Sequence, residues 1–364
     1  MLNLTKVILI TYKDNFSQQE AKSLVESLPS LRIVRVVTQK YLNHSQYGIG
    51  SGKAEEIKEY VKEDGAQQII VDEHLTSKQI HNLEKLTGAQ VIDRERLILN
   101  IFSSRATTAE AKLQIELAEI KYEMPRIREN ARLASGSERA GKGGMGEYVV
   151  DVKFRDSKRR MSFIKEKLQE AHRKRELYHQ KRLNDGMLVV SLIGYTSSGK
   201  TTLFNLLTSE LKETSSNLFT TLSTTTRSFK INNNKEERGI LLIDTVGFIS
   251  RLPTYMIDAF KSTLEESLAA DLVLLLIDAS EKMEDIRIKY NSCGQVLDEL
   301  QVDRSKVLVI LTKTDNLPKE RGIEEIVDDL RIQNPMSISS KTGYGIHKLK
   351  TMIGRHNVVK PMIN

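Results

Sequence analysis

The sequence of 364 residues contains one cysteine, no tryptophan and no long apolar run. The single Cys293 excludes an internal disulfide framework and a cysteine-based metal site. No apolar stretch approaches the roughly 20 residues that a membrane span requires. The N-terminal stretch also lacks a signal-peptide pattern, because the apolar run Val7–Ile10 is too short. We therefore expect a cytoplasmic protein without stable membrane insertion.

The composition indicates a folded chain of two or three domains, with 39% hydrophobic and 28% charged residues. Strand-like and helical stretches alternate at both ends, which predicts an α/β fold class. We predict an N-terminal parallel α/β domain over residues 1–104 and a helical hairpin of the coiled-coil type over residues 105–184. A six-stranded nucleotide-binding domain over residues 185–356 and a tail over residues 357–364 complete the chain.

A glycine-rich stretch in the first domain, Gly48–Lys53, imitates a nucleotide-binding loop. It does not match the P-loop pattern G-x-x-x-x-G-K-[ST], because Tyr47 occupies the position of the first glycine. Ala54 follows the lysine and has no hydroxyl for Mg²⁺. Two interpretations stay open, a turn before a helix and a surface that binds RNA or phosphate.

The hairpin is predicted from two apolar seams at heptad spacing. Pro125 should disturb the last turn of the first helix. A glycine-rich segment joins the two helices and is expected to be mobile. The first seam contains Leu113, Leu117, Ile120, Met124 and Ile127, and the second contains Met161, Ile164, Leu168 and Ala171.

The second helix of the hairpin is strongly basic. Between Asp151 and Leu183 there are twelve Lys or Arg and five acidic residues, so this segment carries an excess equal to the formal net charge of +7. A solvated helix face and a contact with a phosphate backbone both explain such a run. Aromatic residues are few and are not interleaved with these charges, which favours a structured RNA over single strands and gives no reason to expect DNA.

A phosphate-binding loop follows the apolar run Met187–Ile193. Residues Gly194–Thr201 read G-x-x-x-x-G-K-T and lead into a helical stretch, which is the expected context of a P-loop. Glycines let the backbone wrap around a phosphate, and N–H groups at the helix N-terminus face the anion. Lys200 is predicted to reach the β- and γ-phosphates, and the hydroxyl of Thr201 to bind Mg²⁺.

Three further motifs indicate a switch and the base that is bound. Asp244 ends an apolar strand and begins D-x-x-G, so it can hold a Mg²⁺ water, while the N–H of Gly247 can bind the γ-phosphate. The sequence Thr312-Lys313-Thr314-Asp315 resembles [NT]-K-x-D, in which the carboxylate accepts hydrogen bonds from guanine and the lysine stem covers the base. Asn is commoner than Thr at the first position and ties this motif to the P-loop. Ser339-Ser340-Lys341 matches the loop whose N–H contacts guanine O6.

The residue after D-x-x-G is Phe248, where many GTPases have a glutamine that orients the attacking water. We predict slow hydrolysis that a partner accelerates. A threonine-rich stretch, Leu218–Arg227, is the candidate switch I. From these residues alone the Mg²⁺-binding hydroxyl can belong to any of Thr220, Thr221, Thr224, Thr225 and Thr226.

The chain resembles HflX-type GTPases over nearly its whole length. The resemblance is carried by Tyr47–Lys53, Val91–Arg94, Lys112–Ala118, Leu218–Leu222, Thr225–Arg227 and Asp244–Ile249. It implies GTP hydrolysis coupled to binding of the large ribosomal subunit, with ribosome splitting or rescue under stress. It also implies that Thr221 is the Mg²⁺-binding threonine of switch I. The chain departs from the family pattern at Ser197, where Asn is common, at Thr312, and in the shortened glycine-rich segment Gly143–Tyr148.

The predicted partners are therefore GTP or GDP with Mg²⁺ and ribosomal RNA, and the expected state is a monomer. The alternatives are a GTP-switched regulator that never touches RNA and a nucleotide-dependent RNA-remodelling factor. Lys200 and Gly247 are the predicted catalytic residues. The predicted nucleotide-contacting residues are Gly194, Tyr195, Thr196, Ser197, Ser198, Gly199, Lys200, Thr201 and Thr202 of the P-loop, Phe219, Thr220, Thr221, Leu222 and Ser223 of switch I, Asp244, Thr245, Val246 and Gly247 of D-x-x-G, and Thr312, Lys313, Asp315, Ser339, Ser340 and Lys341 of the guanine loops.

Overall fold

The computed structural model describes residues 4–135, 145–184, 187–209, 219, 225–233, 236–260 and 270–356. The chain divides into two compact units, Met1–Lys167 and Leu168–Asn364. Within the described ranges no helix is both long and apolar enough to cross a membrane. The predicted domain boundaries at residues 104, 184 and 356 stay predictions.

The first unit is built on a four-stranded parallel sheet, which confirms the predicted α/β fold. Its strands lie in the order β2-β1-β3-β4. Strand β1 pairs with β2 on one side and with β3 on the other, and β3 pairs with β4. The strands are β1 (Thr5–Tyr12), β2 (Leu31–Gln39), β3 (Gln68–Val71) and β4 (Gln90–Asp93).

Local signals fix the ends of the helices that connect these strands. Thr76 and Gln79 form the expected capping box at the start of α3, and Gly65 and Gly88 end α2 and α3 in the left-handed conformation. The helices are α1 (Asn15–Glu26), α2 (Ser51–Asp64), α3 (Ser77–Thr87) and α4 (Arg94–Arg105). The periodicity did not indicate α4, because this helix is buried on several sides, at Leu97, Ile98, Leu99, Ile101 and Phe102.

The expected hairpin helices are α5 (Ala109–Ser135) and α6 (Met145–Asn184). Glu116 of α5 accepts two hydrogen bonds from the guanidinium of Arg160 in α6 at 2.5 and 2.7 Å. The glycine-rich connection lies mostly outside the described residues. On α5, Leu117 is buried, whereas Leu113, Ile120, Met124 and Ile127 are half-buried. The buried face is rotated toward Ala111, Ile115, Ala118 and Tyr122.

The expectation that Pro125 disturbs α5 was wrong, because the helix continues through it to Ser135. Tertiary contacts hold the helix on both sides of the proline. The hydroxyl of Tyr122 donates to Asp93 at 3.0 Å, and the guanidinium of Arg126 donates to the same carboxylate at 2.9 Å. Their hydrogen bonds to a fully buried group compensate for the backbone bond that proline cannot make.

The second unit contains the predicted six-stranded sheet, in the order β10-β9-β8-β5-β7-β6. All neighbouring pairs are parallel except β6 and β7, which are antiparallel. Its strands are β5 (Leu188–Gly194), β6 (Thr225–Asn233), β7 (Glu236–Asp244), β8 (Leu272–Asp278), β9 (Val307–Thr312) and β10 (Met336–Ser337). Strands β5 and β8 are buried along their whole length. Because β5 lies between β8 and β7, the loop that follows it starts from the middle of the sheet. The sheet is accompanied by α7 (Lys200–Thr208), α8 (Met283–Glu299), α9 (Ile323–Leu330) and α10 (Ile346–Arg355), and residues 254–260 are also helical.

Candidate nucleotide-binding site

The loop at the carboxyl end of β5 has the geometry of a phosphate cradle. Gly194 has φ +150°, and a Cβ added there would lie 2.4 Å from the carbonyl oxygen of Leu276, so the close approach of two central strands requires glycine. Gly199 is in the left-handed region with φ +92°, and α7 begins directly after it at Lys200. The turn therefore directs a helix N-terminus toward the loop, which is the arrangement that binds phosphate.

Lys200 is buried and folded back over this loop. Its ammonium donates hydrogen bonds to the carbonyl oxygens of Gly194 at 3.0 Å and Tyr195 at 2.6 Å. Burial lowers the pKa of Lys200 to about 8, although the carboxylate of Asp244 opposes this shift. An anion bound in the loop would stabilise the charged form, so this lysine is suited to bind phosphate.

Asp244 and Thr201 bring two side-chain oxygen atoms together beside the loop. Asp244 ends β7, which pairs with β5, and it is fully buried. The hydroxyl of Thr201 lies 3.2 Å from the Asp244 carboxylate. Hydroxyl and carboxylate oxygens are ligands that suit Mg²⁺, so the donor set fits the predicted metal.

The D-x-x-G segment is packed directly on the phosphate loop. A Cβ on Gly247 would lie 2.9 Å from Thr196 Cα and 3.0 Å from the ammonium of Lys200, so only glycine fits. The next residue, Phe248, is buried and donates its N–H to the Gly194 carbonyl at 3.0 Å. Its own carbonyl accepts the N–H of Thr196 at 2.8 Å. Gly247 is therefore packed between the phosphate loop and the ammonium of Lys200.

The guanine motif is tied to the phosphate loop. The hydroxyl of Thr312 donates to the carbonyl of Ser198 at 2.8 Å, so this threonine makes the link that Asn commonly makes. Lys313 has φ +54°, and its ammonium forms an ion pair with Asp278 at 2.5 Å. Sequence reasoning missed Asp278, although an aspartate at the end of the apolar strand β8 was a usable signal.

Asp315 is oriented by the neighbouring loop. The hydroxyl of Ser339 donates to the Asp315 carboxylate at 2.6 Å and accepts the N–H of Thr342 at 3.1 Å. Strands β9 and β10 pair in parallel, so their carboxyl ends bring these two loops together. The predicted base-binding carboxylate is thus held by a second predicted motif.

Of the remaining predicted residues, Thr245 is buried and donates its hydroxyl to the Leu192 carbonyl at 2.7 Å, and Val246 and Ser340 are half-buried. The others fall into two groups. In the first, Ser197 is exposed with φ +62°, Thr202 is exposed on α7, and Lys341 is exposed after Ser339. In the second, Phe219 is buried, while Thr220, Thr221, Leu222 and Ser223 lie outside the described residues. The assignment of Thr221 to Mg²⁺ is therefore still a prediction, as are the roles of all the site residues.

The fold and the site define the class of P-loop GTPases. A central strand leads into the phosphate loop, a neighbouring strand supplies D-x-x-G, and a third carries the guanine motif. Family models match three consecutive segments. They are described as GTP-binding GTPase N-terminal over residues 15–103, GTP-binding GTPase Middle Region over residues 105–182, and 50S ribosome-binding GTPase over residues 189–313.

Individual relatives agree with these models. The GTPase HflX of Methanocaldococcus jannaschii is 40% identical, over 94% of this chain and 83% of the relative. The GTPase HflX of Thermococcus kodakarensis is 41% identical, over 88% of this chain and 71% of the relative. A crystal structure of the SsGBP and GDP complex has a TM-score of 0.51 at 27% identity, covering 96% of this chain and 98% of that chain. The chain belongs to the HflX family of GTPases and is a GTP hydrolase.

Proposed function

We propose that this chain is a Mg²⁺-dependent GTPase that hydrolyses GTP slowly by itself and binds the large ribosomal subunit in the cytoplasm as a monomer. The observation that carries the ribosomal part is the positive charge on α6 in a chain that also contains a GTPase domain. The family description of residues 189–313 as a 50S ribosome-binding GTPase supports it. Ribosome splitting or rescue under stress, which the family resemblance implies, is the role we propose for the bound state.

Part of the positive charge on α6 is exposed to solvent. Lys165 and Lys167 are exposed, and Arg159 lies 4.0 Å from Asp156 with most of its side chain in solvent. An exposed pair of this kind contributes little, on the order of 0–1 kcal/mol, so a phosphate can replace it. Such charges read the backbone and shape of a structured RNA.

Two aromatic rings lie among these charges, contrary to the prediction from the sequence. The Lys158 ammonium lies 4.8 Å from the ring centre of Phe154, and the Arg160 guanidinium 5.3 Å from that of Phe163. Each ring thus has a cationic neighbour on its own helix. These positions still favour a contact with RNA that depends mainly on charge.

The proposed metal would be held by Thr201 and, through water, by Asp244, with Thr221 as the further ligand that the family resemblance implies. When bound, Mg²⁺ neutralises charge on the β- and γ-phosphate oxygens. Lys200 would bind the same phosphates from the loop. Gly247 would donate its N–H to the γ-phosphate and register its loss.

Slow hydrolysis is proposed from the side chain at position 248. Phe248 is buried and has no group that can hydrogen-bond to the attacking water. The water must therefore be oriented by another group, and a partner that supplies or orders one would accelerate turnover. In this proposal the large subunit is that partner.

Co-sedimentation with purified large ribosomal subunits tests the interaction. In the presence of a non-hydrolysable GTP analogue we expect binding whose logarithm falls linearly with the logarithm of salt concentration, because phosphate contacts release counterions. The double variant K165E/K167E should weaken binding about tenfold or more at about 0.1 M salt, and K78E/K85E, on two exposed lysines of α3, serves as its matched control. Salt-insensitive association, or none in the GTP state, would refute the proposal.

A further inference from the structure

Three hydrogen bonds join the phosphate loop to the segment that follows Gly247. Two belong to a short parallel bridge between Tyr195 and Phe248. The third is made by a side chain, because the backbone N–H of Ser250 donates to the phenol oxygen of Tyr195 at 2.6 Å. Tyr195 therefore contributes both its backbone and its side chain to this junction.

The ring of Tyr195 is held from a second direction by α8. Lys289 of α8 lies with its ammonium 5.1 Å from the ring centre. The same ammonium forms an ion pair with Glu281 at 2.5 Å. Tyr195 is 3% exposed and Ser250 is 6% exposed, so the phenol and the amide meet away from bulk water. A hydrogen bond in such surroundings is costly to lose, since the buried donor would forgo this acceptor.

The junction fixes the position of Gly247. This glycine is in contact with Thr196 and Lys200, and its neighbours at 248 and 250 are both bonded to residues 194–196. A donor that is already in place when charge arrives stabilises that charge more effectively than one that must first become ordered. The phenol of Tyr195 is thus linked to Gly247 through the backbone of residues 248–250.

We propose that Tyr195 is a positioning residue for GTP recognition and hydrolysis, whose phenol keeps residues 248–250 docked so that the N–H of Gly247 is preorganised for the γ-phosphate. The inference rests on the proposed role of Gly247. It assigns to the second residue of the P-loop a side-chain function that is separate from the wrapping of its backbone around phosphate.

The variant Tyr195→Phe tests this role, because it removes one oxygen and keeps the ring beneath Lys289. We expect GDP affinity to stay within about twofold, since GDP has no γ-phosphate. Affinity for a non-hydrolysable GTP analogue, and the single-turnover rate of GTP hydrolysis, should each fall about tenfold, as expected when the proposed hydrogen bond from Gly247 to the charged γ-phosphate is lost. Amide hydrogen exchange should accelerate in residues 247–250 and remain unchanged in α8.

The matched control is Tyr41→Phe, because Tyr41 is 62% exposed and lies in the first unit. It should change none of these values. Equal losses of GDP and GTP-analogue affinity in Tyr195→Phe would show that the phenol only supports the loop, and unchanged values would show that it has no role. Either result overturns the inference. All the measurements omit ribosomes, so they are independent of the proposed partner, and failure of the wild-type chain to bind GDP would instead contradict the site.

Discussion

The two units contain glycine-rich stretches that look alike in sequence and differ in structure. Lys53 of Gly48–Lys53 lies in the first turn of α2 and pairs with Glu56 on the same helix. Lys200 of Gly194–Thr201 is buried, and it donates to the carbonyls of its own loop. The difference arises because the second loop follows a buried central strand, whereas the first has no such strand before it. A lysine after glycines indicates a phosphate site only in that setting.

The carboxyl ends of the strands also differ between the two sheets. Ligands of open α/β sheets bind at this edge. In the first unit the edge is occupied by the buried Arg94, which pairs with Asp72 and, at 2.6 Å, with Glu20. In the second unit the corresponding edge presents Lys200 and Asp244 beside the phosphate loop. The first sheet thus neutralises the charges at this edge with an internal ion-pair cluster, whereas in the second the Lys200 ammonium donates to carbonyl oxygens of its own loop.

The largest expected effect is on GTP turnover, and it distinguishes Lys200 from Lys53. Lys200→Ala should reduce GTP turnover at least a thousandfold, because it removes the cation that binds the transferred phosphate. Lys53→Ala should leave turnover within about twofold, since its partner is a surface carboxylate. Steady-state phosphate release measures both. Comparable losses in the two variants would contradict the distinction drawn between the loops.

The second prediction concerns the buried charges of the first unit. Arg94→Met should lower the free energy of unfolding of that unit by about 3 kcal/mol, because it leaves Glu20 and Asp72 buried without their counter-charge. Urea unfolding measures this loss, and GDP affinity should be unchanged. Arg96→Met is the control, since Arg96 pairs with Glu123 at the surface and should cost less than about 1 kcal/mol. An equal effect of both substitutions would mean that burial does not matter here.

A smaller effect is expected at the guanine motif. Asp315→Asn keeps the shape of the side chain and the hydrogen bond from Ser339, but it replaces one carboxylate acceptor by a donor. GDP affinity should fall about tenfold to a hundredfold while ADP affinity stays low, a loss of roughly 1.4–2.8 kcal/mol at a tenfold change per 1.4 kcal/mol. Competition between GDP and ADP measures the preference. If the variant still preferred guanine, the side chain that selects the base would not be Asp315.

Much of the fold was predictable from the sequence, because strand ends and turns have strong local signals. The capping box at Thr76 and the glycine ends of α2 and α3 were read correctly. The buried helix α4 was missed because it lacks an amphipathic pattern. The predicted break at Pro125 was wrong because Tyr122 and Arg126, on either side of it, form hydrogen bonds to Asp93 that only the tertiary structure brings about. Sequence patterns record local preferences, whereas those bonds join residues about 30 positions apart.

The candidate site was predictable to a different degree. Its motifs lie at fixed places relative to strands, so Lys200, Asp244 and Asp315 could be found without coordinates. The partners that orient them could not, because the pairing of Lys313 with Asp278 and the docking of Ser250 on Tyr195 depend on the order of strands in the sheet. The charged residues and motifs of the site can be identified from the sequence, whereas the side chains that orient them are known only from the fold.

GTP turnover with and without purified large ribosomal subunits is the most direct test of whether hydrolysis depends on a partner. We expect the chain alone to hydrolyse GTP slowly, because Phe248 cannot orient water, and the subunits to raise the rate about a hundredfold or more, equivalent to about 2.7 kcal/mol of barrier. Rapid turnover by the chain alone, or a rate that the subunits leave unchanged, would contradict this expectation.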